Sequence, residues 1–322
     1  MSFHGRQESE FSIETGLNVE EETSRITRTY SINHLKENGW AYLFLMPSLT
    51  LFALFLFFPL LRSIYMSLYL TDPQGRIVEY VGMGNYVALF TDPHFFQSLK
   101  TTGLFALYTV PTTILLALPI AYLTHQKIKG RRVFQFIFSL PLALSVGTAS
   151  IIWLLLFHPS MGMLNYFLSW LGLSPIFWLS DPRWALPSVS LMTIWLNFGF
   201  AYLILLSGMQ SIPEEVYESA KIDGAGLVRS FFRITFPLLT PNLFFLVIVS
   251  SISALQTFGQ IHLLTQGGPA EATNVLVYRL YQDAFINYRF GIGSAEAIFL
   301  FLLVLLLTAI QFLFLERKVH YQ

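Results

Sequence analysis

Residues 186–206 read LPSVSLMTIWLNFGFAYLILL, twenty-one positions without Asp, Glu, Lys or Arg. At a rise of 1.5 Å per residue, such a run forms a helix long enough to cross a hydrocarbon core of about 30 Å. Five more runs meet the same test: 41–61, 103–124, 134–157, 242–264 and 297–315. None of the six places a charge at mid-bilayer, where each would cost about 2.5 to 3.5 kcal/mol. The composition agrees: 54% of the 322 residues are hydrophobic, 12% are charged, and mean hydropathy is +0.57. With 31 Phe, 15 Tyr and 6 Trp, there is more apolar surface than one water-soluble core can hide. The sequence therefore predicts an all-α integral membrane bundle of six transmembrane helices, retained without signal cleavage.

Basic residues set the orientation. With both termini in the cytoplasm, thirteen Lys and Arg lie inside, the run Lys127 to Arg132 foremost, and six lie outside. Residues 1–36 are polar, with an acidic run at Glu20 to Glu22, and read as a mobile cytoplasmic tail ahead of a membrane domain over 37–322. Nineteen basic residues balance nineteen acidic ones, which argues against a nucleic-acid partner. The absence of cysteine excludes thiol catalysis and Cys-ligated metal; the seven His form no ligand motif, so no metal is expected. There is no GxxxxGK[ST] loop, so any ATP and Mg belong on a partner and the chain itself carries no cofactor or catalytic residue. Pro47, Pro59, Pro111, Pro119, Pro141 and Pro187 lie within the runs, either tolerated kinks or moving hinges.

The longest cytoplasmic connection, 207–241, reads as two short helices around a glycine. Ser211 and Glu214 form a capping box with Pro213 in the first turn, Val216, Tyr217 and Ala220 share a side, Lys221 closes the last turn, and Gly224 supplies a left-handed end. Val228, Phe231, Phe232 and Phe236 then recur at helical spacing, which would fasten the knob to neighbouring helix ends. By spacing alone this is a capped surface helix. The stretch EEVYESAKIDGAGLVRSFFRITFPLLTP, from Glu214 to Pro241, resembles the EAA loop of ABC-importer membrane subunits: Glu-Ala-Ala, three residues, Gly, nine residues, Ile, one residue, Leu-Pro. Glu218, Ala220, Gly224, Ile234 and Pro237 meet the pattern; Ser219 and Phe236 depart from it by small changes of volume or shape.

The likeness runs from about Glu37 to Arg317, through FFPLLRSIYMSLY, GMGNYVALFTDPHFFQSLKTT, LLTQGGPAEATNVLVYRLYQDAF and GIGSAEA. The chain is similar to sugar-type permeases of binding-protein-dependent ABC importers. The resemblance implies a bacterial or archaeal plasma-membrane half-pore that pairs with a second similar permease, two ATP-binding subunits and an extracytoplasmic solute-binding protein. It assigns ATPase coupling to Glu218, Ser219, Ala220, Asp223, Gly224, Ile234 and Pro237.

Polar side chains within a bilayer turn toward a bundle interior or a water-filled path. Thr193, Asn197 and Phe200 recur at i, i+4 and i+7, and Ser253, Gln256, Thr257 and Gln260 at i, i+3, i+4 and i+7. Such stripes serve either solute contact or hydrogen bonds between packed helices. The resemblance favours solute, because the helices flanking the EAA loop line the path in similar permeases. Tyr108, Thr112 and Thr113 are further candidates. The expected solute is a carbohydrate or related polyol. Glycerol 3-phosphate is the alternative, and its phosphate would call for Lys or Arg, which the six runs lack. A self-sufficient secondary transporter is more remote, since no acidic residue falls within a predicted run.

Overall fold

The computed structural model describes residues 42–126 and 129–315. The tail over 1–36, both termini, Lys127, Arg317 and Lys318 lie outside the described residues. Contacts divide the chain into a unit ending at Arg62 and a larger unit from Ser63 onward. The first consists, where described, of most of α1 (Tyr42–Met66), whose apolar side chains stay exposed, Phe55 at 76%. One π turn, Ala53–Phe57, interrupts it.

Four helices are long and apolar enough to span alone: α1, α3 (Pro93–His125), α7 (Pro182–Gln210) and α13 (Phe290–Leu315). Two bent pairs raise the number to six if each crosses as one element. The first joins α4 (Arg131–Ser139) through the 3-10 turn Leu140–Ala143 to α5 (Val146–Leu156), at 103°. The second joins α9 (Leu227–Leu238), which contains a π turn, to α10 (Thr240–Leu255), at 65°. The run 134–157 is thus not one straight helix. Pro141 lacks an amide donor, and Ser145 starts a new helix by accepting from the Thr148 amide. The run 242–264 is broken too: Gln256, Thr257 and Phe258 leave helical geometry, and α11 (Gly259–Leu264) begins separately.

The fold is not wholly α. Tyr69–Thr71 (β1) and Ile77–Tyr80 (β2) pair as a two-stranded antiparallel ribbon. The turn between them holds Asp72, whose carboxylate accepts from the Gln74 and Arg76 amides, then Pro73 and Gly75 at φ +78°. The buried Asn85 of α2 (Gly84–Thr91) donates to the carbonyls of Ser67 and Tyr69 and fastens the ribbon.

α3 and α7 form the spine of the larger unit, running in the same direction with extensive contact. Their packing divides into two levels. Near their starts, Phe105, Trp153, Phe157, Leu186, Val189, Met192 and Ile261 form one core. Toward their ends, Ile114, Leu118, Tyr202, Leu205, Met209, Leu239 and Leu246 form another. A hydroxyl pair crosses the second level, Thr124 Oγ1 to Tyr202 OH at 2.7 Å. Beyond α7 come α8 (Glu214–Ile222), described below, and α12 (Leu276–Tyr281) before α13.

Glu296 stands one position before the predicted run 297–315 yet inside the helix that carries that run. α13 begins at Phe290, seven positions before the predicted run, so Glu296 sits in its second turn, 3% exposed. It accepts from Arg279 Nε at 2.7 Å; Arg279 also holds Asp92 at 2.6 Å and Asp283 at 3.6 Å. Partial burial pushes the Asp92 carboxyl up, but the hydrogen bonds from Arg279 and the His94 amide outweigh it and hold this carboxyl below its usual range.

Candidate coupling helix and solute path

α8 lies between the end of α7 and the start of α9, and both of its ends are chemically marked. At the start, Pro213 is the N-cap, with Glu214 and Glu215 in the first turn beside the positive end of the helix dipole. The expected Ser211 capping box does not form. Ser211 caps the C-terminus of α7 instead, its hydroxyl donating to the Gly208 carbonyl at 2.8 Å, so it is one helix too early. At the other end, the Ala225 amide donates to the Ala220 carbonyl and the Gly224 amide to the Lys221 carbonyl. Those two bonds, with Gly224 at φ +74°, make a Schellman ending.

The side chains of α8 sort by face. Glu218, Ser219 and Asp223 are exposed, while Tyr217 and Ala220 are half-buried toward the helix bundle. Tyr217 OH lies 3.1 Å from Thr235 Oγ1, and burial pushes this phenol above its usual range, keeping it protonated. Val216, expected beside Tyr217, points outward. Of the four apolar residues expected to fasten the knob, only Phe231 does so, its ring 4.9 Å from Tyr122. Val228 and Phe232 are 71% and 63% exposed and Phe236 is 40% exposed; the π turn Phe231–Thr235 shifts the phase of the residues after it away from the expected α spacing. Tyr122 OH also donates to the Leu227 carbonyl at 2.9 Å. Ile234 and Pro237 are half-buried within α9. Behind α8 a cavity of about 510 Å³ is lined by Tyr122, His125, Gln210, Tyr217 and Lys221.

The solute-path candidates separate. Thr193 is buried and its hydroxyl donates to the Val189 carbonyl, and Thr257 does the same to Ser253. Gln260 is buried. Asn197 and Phe200 are half-buried on α7, with the Phe200 ring 6.5 Å from Phe245. Ser253 on α10 and Gln256 just past its end are exposed. The expected continuous stripe from Ser253 to Gln260 is not formed, because the helix ends at Leu255 between its members.

The break itself is the feature that spacing missed. Gly259 follows it, and a Cβ there would stand 2.9 Å from Val146 Cγ1. The start of α11 therefore touches the start of α5. Gly199, two residues beyond Asn197, similarly admits the turn Leu140–Ala143, since a Cβ would lie 3.0 Å from the Leu142 nitrogen. Two broken elements thus meet each other, and one of them packs on α7 at Gly199; irregular backbone at membrane depth is tolerated where it is packed in protein or lines a wet cavity. Pro141 and Gly259 were the available signals.

A family model described as binding-protein-dependent transport system inner membrane component matches residues 110–320, about two thirds of the chain. The chain belongs to that family. It is a multi-pass plasma-membrane permease component of an ABC importer, a class that works with a solute-binding protein and ATPase partners. It is similar to the sn-glycerol-3-phosphate transport system permease protein UgpA of Agrobacterium fabrum, 37% identical over 87% of this chain and 96% of that one. The protein of the same name from Yersinia enterocolitica is 36% identical over 87% and 95%. Among solved structures it resembles a chain of a bacterial alginate ABC transporter in complex with an alginate pentasaccharide-bound periplasmic protein. The TM-score is 0.73 and identity 27%, over 87% of this chain and 94% of that one.

Proposed function

We propose that this permease forms half of the path for a carbohydrate or related polyol and pairs with a second similar permease, the whole driven by ATP and Mg held on two ATPase subunits. In this reading the chain crosses six times with both termini in the cytoplasm, and α8 faces the ATPase side. The observation that carries the coupling role is the Schellman-ended α8, with Glu218, Ser219 and Asp223 exposed and Tyr217 and Ala220 turned to the bundle. Closure of the ATPase pair moves α8. Tyr217 passes that motion to Thr235 of α9, and Phe231 and Leu227 pass it to Tyr122 of α3. Ile234 and Pro237 carry it along α9 toward the broken elements packed on α7, so the solute path opens alternately to either side.

Solute meets Asn197, Phe200, Ser253 and Gln256, whose polar groups and aromatic ring suit hydroxyls and flat sugar faces. Thr193, Thr257 and Gln260 support the walls. A second reading, glycerol 3-phosphate, is favoured by the two relatives that carry this name. Uptake into vesicles holding the full transporter tests both: labelled sugars and glycerol 3-phosphate are compared with and without ATP and binding protein. ATP-dependent uptake of a neutral sugar supports the first reading, and uptake of glycerol 3-phosphate alone replaces it with the second. Uptake without ATPase or binding protein would overturn both.

A further inference from the structure

Between α5 and α7 lies a clamped apolar face that the solute path does not use. From Pro159 to Ser180 the chain has no Asp, Glu, Lys or Arg. Its centre is α6 (Met163–Trp170). Asn165, 7% exposed, holds this helix in place. Its amide group donates to the carbonyls of Pro159 (2.8 Å) and Ile176 (3.0 Å), and its Oδ1 accepts from the Ile176 amide (3.1 Å) and Trp178 Nε1 (3.0 Å). Those four bonds use its whole donor and acceptor capacity and fix how the helix is rolled.

With Asn165 and Leu164 turned inward, the opposite face presents Tyr166, Phe167, Trp170 and Leu171. Trp170 and Leu171 are 74% and 75% exposed. A rigid surface of this kind in water would be a hydrophobic patch with no charge to break it. Its position names another solvent. Leu164 of α6 packs into the core level at the start of α7, whose 29 residues extend about 43 Å, more than the hydrocarbon core; on the six-span topology proposed above, on which this inference rests, α6 therefore sits near the bilayer boundary opposite α8. Six residues link it to α5, too few to carry it far from that boundary. Tyr and Trp without formal charge are the composition of the interfacial aromatic belt.

We propose that α6 lies in the plane of the bilayer surface with Phe167, Trp170 and Leu171 inserted among phospholipid chains and Tyr166 at headgroup level, anchoring the adjacent ends of α5 and α7. The test uses the natural absence of cysteine. Nitroxides are attached at Phe167→Cys, Trp170→Cys or Leu171→Cys in the assembled transporter in phosphatidylcholine/phosphatidylglycerol vesicles, with Ser169→Cys as a milder variant. Collision with oxygen is compared with collision with a water-soluble nickel chelate. Lipid insertion gives oxygen accessibility at 167, 170 and 171 about threefold or more above nickel, unchanged by loaded binding protein. Nickel accessibility equal to or above oxygen would overturn the proposal in favour of a wet surface. Low accessibility to both would assign the face to a partner permease, and protection appearing only with binding protein would assign it to that protein.

Discussion

Gly224 and Gly199 are both glycines for reasons that can be separated. At Gly224 a Cβ meets nothing within 4 Å, so only the backbone at φ +74° resists substitution. An ordinary side chain there costs about 1 kcal/mol or more, whereas Asn adopts the left-handed region more readily. Gly224→Val is expected to leave the permease inserted but lower ATPase co-purification and uptake, and Gly224→Asn to retain most of both. Equal behaviour of the two would mean that this end of α8 is only a turn. At Gly199 the restriction is contact with the Leu142 backbone, and overpacking of this kind costs about 1–3 kcal/mol. Gly199→Val should therefore lower the thermal midpoint of the detergent-solubilised permease by more than Gly224→Val does.

Among the elements, the buried charge group ties the start of α3 to α12 and α13. Removing one partner from such a group costs about 3–5 kcal/mol, because the rest stay buried and unmatched. Arg279→Met is expected to destabilise strongly, and Glu296→Gln less, since the amide oxygen still accepts from Arg279. Thermal melts of the two variants check the order. Asp92 adds a pH term. Its folded carboxyl titrates below its unfolded value, so its contribution is complete above the unfolded range near pH 4 and is lost as pH falls through the folded value. An Asp92→Asn complex should lose less stability than the parent as pH falls below about 4.

This group also marks what sequence could and could not reveal. Charge-free length located the apolar elements, because bilayer thickness fixes a helix length regardless of partners. Gly224 was legible because a left-handed helix end has a local chemical cause. The bends at Leu140–Ser145 and Gln256–Phe258 were not, since they depend on which backbone packs against Gly199 and Val146. Nor was the ribbon read from Asp72-Pro73-Gln74-Gly75, although its turn chemistry was present; apolar periodicity drew attention to the flanking helices.

Across the whole molecule, the mechanism proposed above has the two broken elements change their contact as access alternates. An ideal Cβ on Gly259 lies 3.7 Å from Val146 Cβ, within the range a disulfide bridges. Because the chain holds no other cysteine, Val146→Cys with Gly259→Cys reports this motion directly. Oxidation is expected to abolish ATP-dependent uptake by the assembled transporter, reduction to restore it, and neither single variant to respond. Full uptake by the cross-linked protein would place the moving joint elsewhere.

The two-level core has a consequence for how the protein loosens. The level around Met192 and Ile261 and the level around Tyr202 and Leu246 share the helices α3 and α7 but bury separate sets of side chains. Opening one therefore exposes little of the other's apolar surface, and each acts as its own cooperative unit of local unfolding. Amide hydrogen exchange should accordingly show two protection plateaus along α7, changing rank near Gly199, with the level next to α8 gaining protection when the ATPase docks.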